Sequence, residues 1–314
     1  MSSMIMNVVV AGVLLLASGG DDPGGSGGEG FQDGRTAGVR LENSKIIITG
    51  TGIGGKSDGY RIKRPCWYEP DKSATEKLQQ QEDLRALWFR YTPNATEEKY
   101  QKFLKQFKDK AGKEGRWWAP AYNGADPDGL SCWNGLDPFV WVPPGTTPPS
   151  GITIAELVEI ARAALTVPEP KIQLNPDAKS YVNLPTWVWL GDAGQTSRSV
   201  TATIPGFMSA TVTADLKNIK IDPGTGDDRA KKAEEGCGQT GTPYAKGKKF
   251  TCGVTYLRAS ADQPRDVYTL TVTSVWEVGV QDNVVPFAYD PIQAAATRDV
   301  EVGEVQSTVR KGTP

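Results

Sequence analysis

Residues 45–59 read KIIITGTGIGGKSDG, in which Gly50, Gly55, Lys56 and Ser57 satisfy G-x-x-x-x-G-K-[ST] and Gly50, Gly52 and Gly55 satisfy G-x-G-x-x-G. The first string describes loops that turn backbone amides toward nucleotide phosphates, the second a dinucleotide-binding turn. Both need a following helix, because its N-terminus shares in holding the negative charge. An apolar run, Ile46 to Ile48, precedes the glycines, but SDGYRIKRPCWYEP follows Lys56. Gly59 falls where the first helical turn belongs, Pro65 comes soon after, and Tyr60 and Ile62 alternate with Arg61 and Lys63 as in a strand. The stretch VWLGD, ending at Asp192, would supply a magnesium-binding acid only from within a β-rich region, and Glu69 lies at the ribose-binding distance without the intervening helix. The neighbours therefore predict a glycine-rich turn leading to Cys66. A helix starting at Lys56 or Ser57 would reverse that reading.

Other chemistry is narrowed by composition. The chain of 314 residues has no histidine, which removes Ser-His-Asp and Cys-His nucleophile systems and most catalytic zinc sites. A carboxylate pair could still cleave a glycosidic bond, and Glu69, Asp126, Asp128 and Asp137 lie near aromatic residues able to stack on sugar. Acids in Pro/Gly loops such as Asp126-Pro127-Asp128-Gly129 more simply cap turns. Asp126, Asp128 and Gly129 also match part of a calcium loop, although the same register puts Gly124 and Gly135 at its first and twelfth ligand positions. Asp222, Asp227 and Asp228 form a second oxygen-rich loop. No cofactor is expected. Trp117, Trp118, Trp133 and Trp141 are candidates for stacking on a glycan or partner, or else pack beside a Cys66–Cys132 bridge. Trp187, Trp189 and Trp276 are expected in a core.

The net charge of −2 and pI near 5.5 give no reason to expect a nucleic acid as partner. Residues 1–19 resemble a signal peptide in their uncharged apolar run, without a basic start, and 20–38 form a flexible Gly/Asp-rich linker. The four cysteines, Cys66, Cys132, Cys237 and Cys252, fit an exported chain with paired thiols. Three pairings are possible; Cys66 with Cys132 and Cys237 with Cys252 is favoured, the latter closing a short Gly-rich segment. No C-x-x-C pair seeds a zinc site.

Those residues must be positioned by two regions. In 39–168, a strand or two over 39–49 precedes three helices. The first begins at the capping box Ser73/Glu76 and the second opens near Asn94, lines up Tyr100, Phe103, Leu104, Phe107 and Ala111 on one face and ends at Gly112. The third begins at the capping box Thr153/Glu156. Lys99, Lys102, Lys105, Lys108, Lys110 and Lys113 make the second helix basic opposite its aromatic stripe. An aromatic, proline-rich loop, RWWAPAYNGADPDGLSCWNGLDPFVWVPPGTTPPS, joins the second helix to the third. In 169–314, about seven short β-branched runs separated by turn residues predict an antiparallel β-sandwich. The fold class is thus α+β.

RPCWYEP, NLPTWVWL, GCGQTGTPY, CGVTYLRASADQP, VTSVWEV and VGEVQ resemble the pattern of a family of mostly uncharacterised exported actinobacterial proteins. Its members often carry labels such as secreted or ATP/GTP-binding protein. The resemblance covers roughly 62–308, is strongest after 168, and implies a C-terminal domain similar to immunoglobulin-like PKD modules. It implies no known reaction. Where PKD modules carry W-x-F-G-D-G, this chain has KIDPGTGDD. The expectation is an exported, non-catalytic binding protein of the cell surface or medium, its partner a cell-wall glycan, an anionic wall polymer or another surface protein. A carboxylate-dependent wall or polysaccharide hydrolase is the alternative, and a phosphate-loop nucleotide binder the third reading.

Overall fold

The computed structural model describes residues 39–177, 179–192, 194–283 and 286–305. The signal-like segment and the linker lie outside the described residues. The chain forms two compact units that interleave in sequence. Of the described residues, the first takes those up to Thr49 with Gly59–Ala164 and Thr201–Thr211; the second takes Gly50–Asp58, Leu165–Val200 and those from Val212.

In the first unit the strands are β1 (Leu41–Glu42), β2 (Ile47–Thr49), β3 (Cys66–Ser73), β4 (Arg116–Asn123) and β5 (Val140–Val142). The helices are α1 (Ala74–Asp83), α2 (Arg85–Tyr91), α3 (Glu97–Lys108), α4 (Gly129–Asn134) and α5 (Ile154–Ala164). β4 lies between β1 and β3 and also pairs with β5, always antiparallel. Both capping boxes form: Ser73 and Glu76 exchange bonds at the start of α1, and Thr153 and Glu156 do so at the start of α5. The first expected helix divides at Leu84 into α1 and α2. The second starts later than expected, because Asn94 takes a left-handed φ of 52° and the Thr96 side chain accepts the Lys99 amide as N-cap. Tyr100, Phe103, Leu104 and Phe107 of its predicted stripe are buried with Trp88 and Trp117 in one aromatic core, but the helix ends at Lys108, short of the expected Gly112, so Ala111, the last position of that stripe, is exposed and Lys110 and Lys113 lie beyond the helix.

The aromatic segment between α3 and α5 is not the irregular loop its composition suggests. It contains β4, α4 and β5. β4 is buried at Trp117, Trp118, Pro120, Ala121 and Asn123, so both its faces are covered. No polar alternation then marks it as a strand. Pro120 stands opposite Tyr68 within this inner strand, another departure from ordinary strand composition.

In the second unit β6 (Ile172–Asn175), β8 (Pro185–Leu190), β12 (Gly253–Tyr256) and β11 (Ala230–Lys232) form one sheet, in the order β11-β12-β8-β6. In the other, β10 (Met208–Asp222), which belongs to this unit from Val212 onward, pairs there with β13 (Tyr268–Val280), β13 with β14 (Ile292–Gly303), and β14 runs parallel to β7 (Lys179–Tyr181). The neighbour of β10 is β9 (Ser197–Ile204), whose Thr201–Thr203 segment pairs with β2 in the first unit. One hydrophobic core draws Leu174, Val188 and Val254 from the first sheet and Leu270, Val272 and Val300 from the second. Tyr256 and Tyr268 stack within it at 4.7 Å. Trp276 is buried as expected, but Trp187 lies across the strand from the core residue Val188 and packs edge-on against Tyr244 and Phe250. Trp189 is only half-buried. The fold is α+β, with more strand than helix among the described residues.

Disulfides join Cys66 to Cys132 and Cys237 to Cys252, the pairs that spacing favours. Closing the shorter loop, a separation of 15 residues, contributes on the order of 3 kcal/mol.

Candidate functional site

The glycine-rich stretch is packed against its own unit. No helix follows Lys56, which instead forms an isolated antiparallel bridge with Val167. Three of the amides that a phosphate loop would offer are already committed. Gly52 N–H donates to Ser199 O at 2.9 Å, Gly55 N–H to Thr166 Oγ1 at 2.8 Å, and Lys56 N–H to Val167 O at 2.8 Å. The Lys56 ammonium lies 2.6 Å from Glu169 Oε1 and 3.3 Å from Ala295 O. The three pattern glycines have a packing reason. A Cβ on Gly50 would stand 2.1 Å from Ser199 O, one on Gly52 2.5 Å from Leu165 Cδ1, and one on Gly55 2.5 Å from Val167 O. Ser57, the fourth residue of the string, ends in a loop. The segment is a clasp against β9 and Thr166–Val167.

Of the candidate acids, Glu69 and Asp126 have structural duties for their carboxylates, whereas Asp128 and Asp137 are engaged through their main-chain carbonyls. Asp126 Oδ1 accepts the Asp128 amide at 2.9 Å in an Asx turn, and Asp128 O accepts the Cys132 amide at 2.8 Å as α4 begins. Asp222 Oδ1 accepts Gly224 N–H at 2.9 Å in the same way. Among the described residues no cluster of three or more His, Cys, Asp or Glu side chains could hold a metal ion. The Asp137 carbonyl accepts the Tyr68 hydroxyl at 3.1 Å; burial, with the Asp137 charge, pushes that phenol up to about 12.

Glu69 is 2% exposed on β3 and receives three donors. These are Trp67 Nε1 at 2.7 Å, Ser44 Oγ at 2.7 Å and Lys45 N at 2.6 Å. Burial raises its pKa while the donors pull it back. Two residues along the strand, Asp71 bridges Lys45 Nζ at 2.5 Å and Lys77 Nζ at 2.7 Å. Lys77 is 3% exposed, with its ammonium 4.3 Å from the Phe139 ring centre. Burial alone would raise Asp71, but the charges of Lys77 and Lys45 hold its carboxyl below the usual range. Burial lowers Lys77, and Asp71 opposes that shift. The network ties residues 44 and 45 and α1 to β3. Nothing in the sequence distinguished Lys77 from the many exposed lysines, since its burial follows from the α1–β3 packing.

The stacking candidates turn inward. Trp117, Trp118 and Trp133 are 4%, 7% and 7% exposed. Trp117 packs on Phe107 at 4.9 Å and Trp141 at 5.5 Å, and Trp133 donates to Pro120 O at 3.0 Å. Trp141 alone of the four is half-buried, with Lys110 Nζ 5.7 Å from its ring centre.

A concave site that the sequence did not announce lies in the second unit, a pocket of about 230 Å³. Glu169, Lys171, Asp192 and Arg198 supply its charges, and Leu190, Leu216 and Trp276 are among its apolar lining. The glycine clasp holds two of these charges, Lys56 pairing with Glu169 and the Thr51 carbonyl accepting Arg198 Nη1. Its residues come from segments spread over more than 100 positions, so no local motif could reveal it. Compared with models of known protein families, with curated proteins and with solved structures, the chain matches none.

Proposed function

We propose that the chain is an exported binding protein with no catalytic chemistry of its own, its second unit an immunoglobulin-like β-sandwich akin to the actinobacterial secreted family it resembles. The observation that carries this reading is the commitment of the candidate groups. The Gly52, Gly55 and Lys56 amides, Glu69 and Asp126 are each bonded within their own unit. Export is supported by two disulfides, with no free cysteine among the described residues. The sandwich is supported by one core fed from both sheets of the second unit. An anionic wall polymer is supported as partner by the exposed side of α3, where Lys99, Lys102, Lys105 and Lys108 are solvent-facing and only Lys105 has an acidic partner among the described residues.

The test uses the secreted chain with purified cell walls and with ATP and GTP. It is expected to sediment with the walls in a salt-sensitive manner, to release no reducing ends, and to give the same absent heat with nucleotide as Lys56→Ala. Turnover abolished by Glu69→Gln or by Asp126→Asn with Asp128→Asn would establish the hydrolase instead. Nucleotide heat lost in Lys56→Ala would establish the nucleotide binder.

A further inference from the structure

The pocket of the second unit is built from fixed pieces. Its floor pair, Leu216 and Trp276, are register partners on β10 and β13, each 1% exposed. The indole N–H is answered internally, donating to Ser274 Oγ at 3.0 Å, and Ser274 donates to Ala294 O at 3.2 Å. The floor thus asks nothing polar of a ligand. Its walls are pinned by the backbone, with Gly191 N–H on Lys171 O at 2.8 Å and Leu216 N–H on Thr196 O at 2.8 Å.

The charges around it are unequally satisfied. Glu169 is held by Lys56, and Lys171 faces Asp192 at 3.9 Å. Arg198 has no carboxylate partner among the described residues; its only acceptor there is the Thr51 carbonyl, and its Nε is buried without one. A half-buried guanidinium with most of its donors unanswered, beside an apolar floor, is suited to a planar anion. With Lys56 paired to Glu169 and Lys171 facing Asp192, the single guanidinium matches one negative charge and not the two of a phosphate dianion. The volume is below the roughly 300–1,000 Å³ of drug-sized sites.

We propose that this pocket binds a small organic monocarboxylate with an apolar or aromatic body. The carboxylate pairs with Arg198, and the body lies over Leu190, Leu216 and the Trp276 indole. The proposal rests on the reading that the chain acts by binding, but it concerns a different surface from the α3 lysines, so wall sedimentation and pocket occupancy fail separately.

The experiment titrates the full chain with benzoate, with benzamide as neutral isostere and with inorganic phosphate, following the Trp276 indole N–H signal by NMR. Benzoate is expected to saturate with a Kd on the order of 1 mM, with benzamide and phosphate at least tenfold weaker. Arg198→Gln should weaken benzoate at least tenfold. Gln195→Trp, at an exposed lining position, should block it without disturbing the guanidinium, and decides the matter if Arg198→Gln fails to fold. Equal shifts with benzoate and benzamide, tighter binding of phosphate, no response to benzoate, or unchanged binding in Gln195→Trp would each overturn the proposal.

Discussion

Gly50→Ala is expected to lower the unfolding free energy by roughly 4 kcal/mol, two effects of about 1–3 kcal/mol each acting together. The first is backbone strain, because Gly50 has φ of 137°, where an L side chain is disfavoured. The second is collision, since the new methyl would stand 2.1 Å from Ser199 O and 2.9 Å from Val200 Cα. Both are backbone atoms of β9 and cannot rotate aside. Gly54→Ala is the internal control. Gly54 also has a positive φ, of 82°, but a Cβ there meets nothing within 4 Å. Only the conformational term remains, about 1–2 kcal/mol. Urea unfolding of the two variants side by side measures the difference. Equal losses would mean that the glycine segment does not press on β9 in solution.

Asp71→Ala should be as severe, about 3–5 kcal/mol, because it leaves the Lys77 ammonium buried without its counter-charge. Lys77 is 3% exposed and Asp71 is its carboxylate partner. The loss should therefore be largely recovered by adding Lys77→Met, which keeps the volume and removes the charge. The pair also predicts a pH dependence. Asp71 titrates below the ordinary carboxylate range in the folded chain despite its burial, because Lys77 and Lys45 lie against it. Its contribution is thus present above the unfolded pKa of about 3.9 and is lost as pH falls through the lower folded value. Glu69, raised by burial, works in the opposite direction, favouring the folded state as it takes up a proton. Subtracting the Asp71→Ala curve from that of the parent chain isolates the first effect. The difference should shrink below about pH 4; a difference independent of pH would show that the carboxylate is not ionised in the fold.

What the sequence made legible was local. Capping boxes at Ser73 and Thr153 and the 3.6-residue stripe of α3 involve residues a few positions apart; both boxes formed as read, and the stripe did so from Tyr100 to Phe107. The runs after Lys171 were recognisable as strands because their β-branched residues sit between Gly and Pro turns. β3 and β4 escaped notice because they are covered on both faces and carry Pro70 and Pro120, so neither alternation nor composition marks them. The same limit governs the site. Gly50, Gly55 and Lys56 could be weighed against their neighbours, and the missing helix was visible in Gly59 and Pro65. Their true partners, Ser199, Thr166 and Val167, lie more than 100 residues away and became visible only in the fold. Arg198, Lys77 and Asp71 follow the same rule, being ordinary charged residues in sequence and distinguished only by what surrounds them.

The central claim is that the glycine-rich segment is a structural clasp, and amide hydrogen exchange at Gly52, Gly55 and Lys56 tests it most directly. With these amides bonded to Ser199 O, Thr166 Oγ1 and Val167 O, they should exchange slowly in the free protein, and adding magnesium with ATP or GTP should leave their rates unchanged. Fast exchange in the free chain that becomes slow when nucleotide is added would contradict the account and restore the phosphate loop.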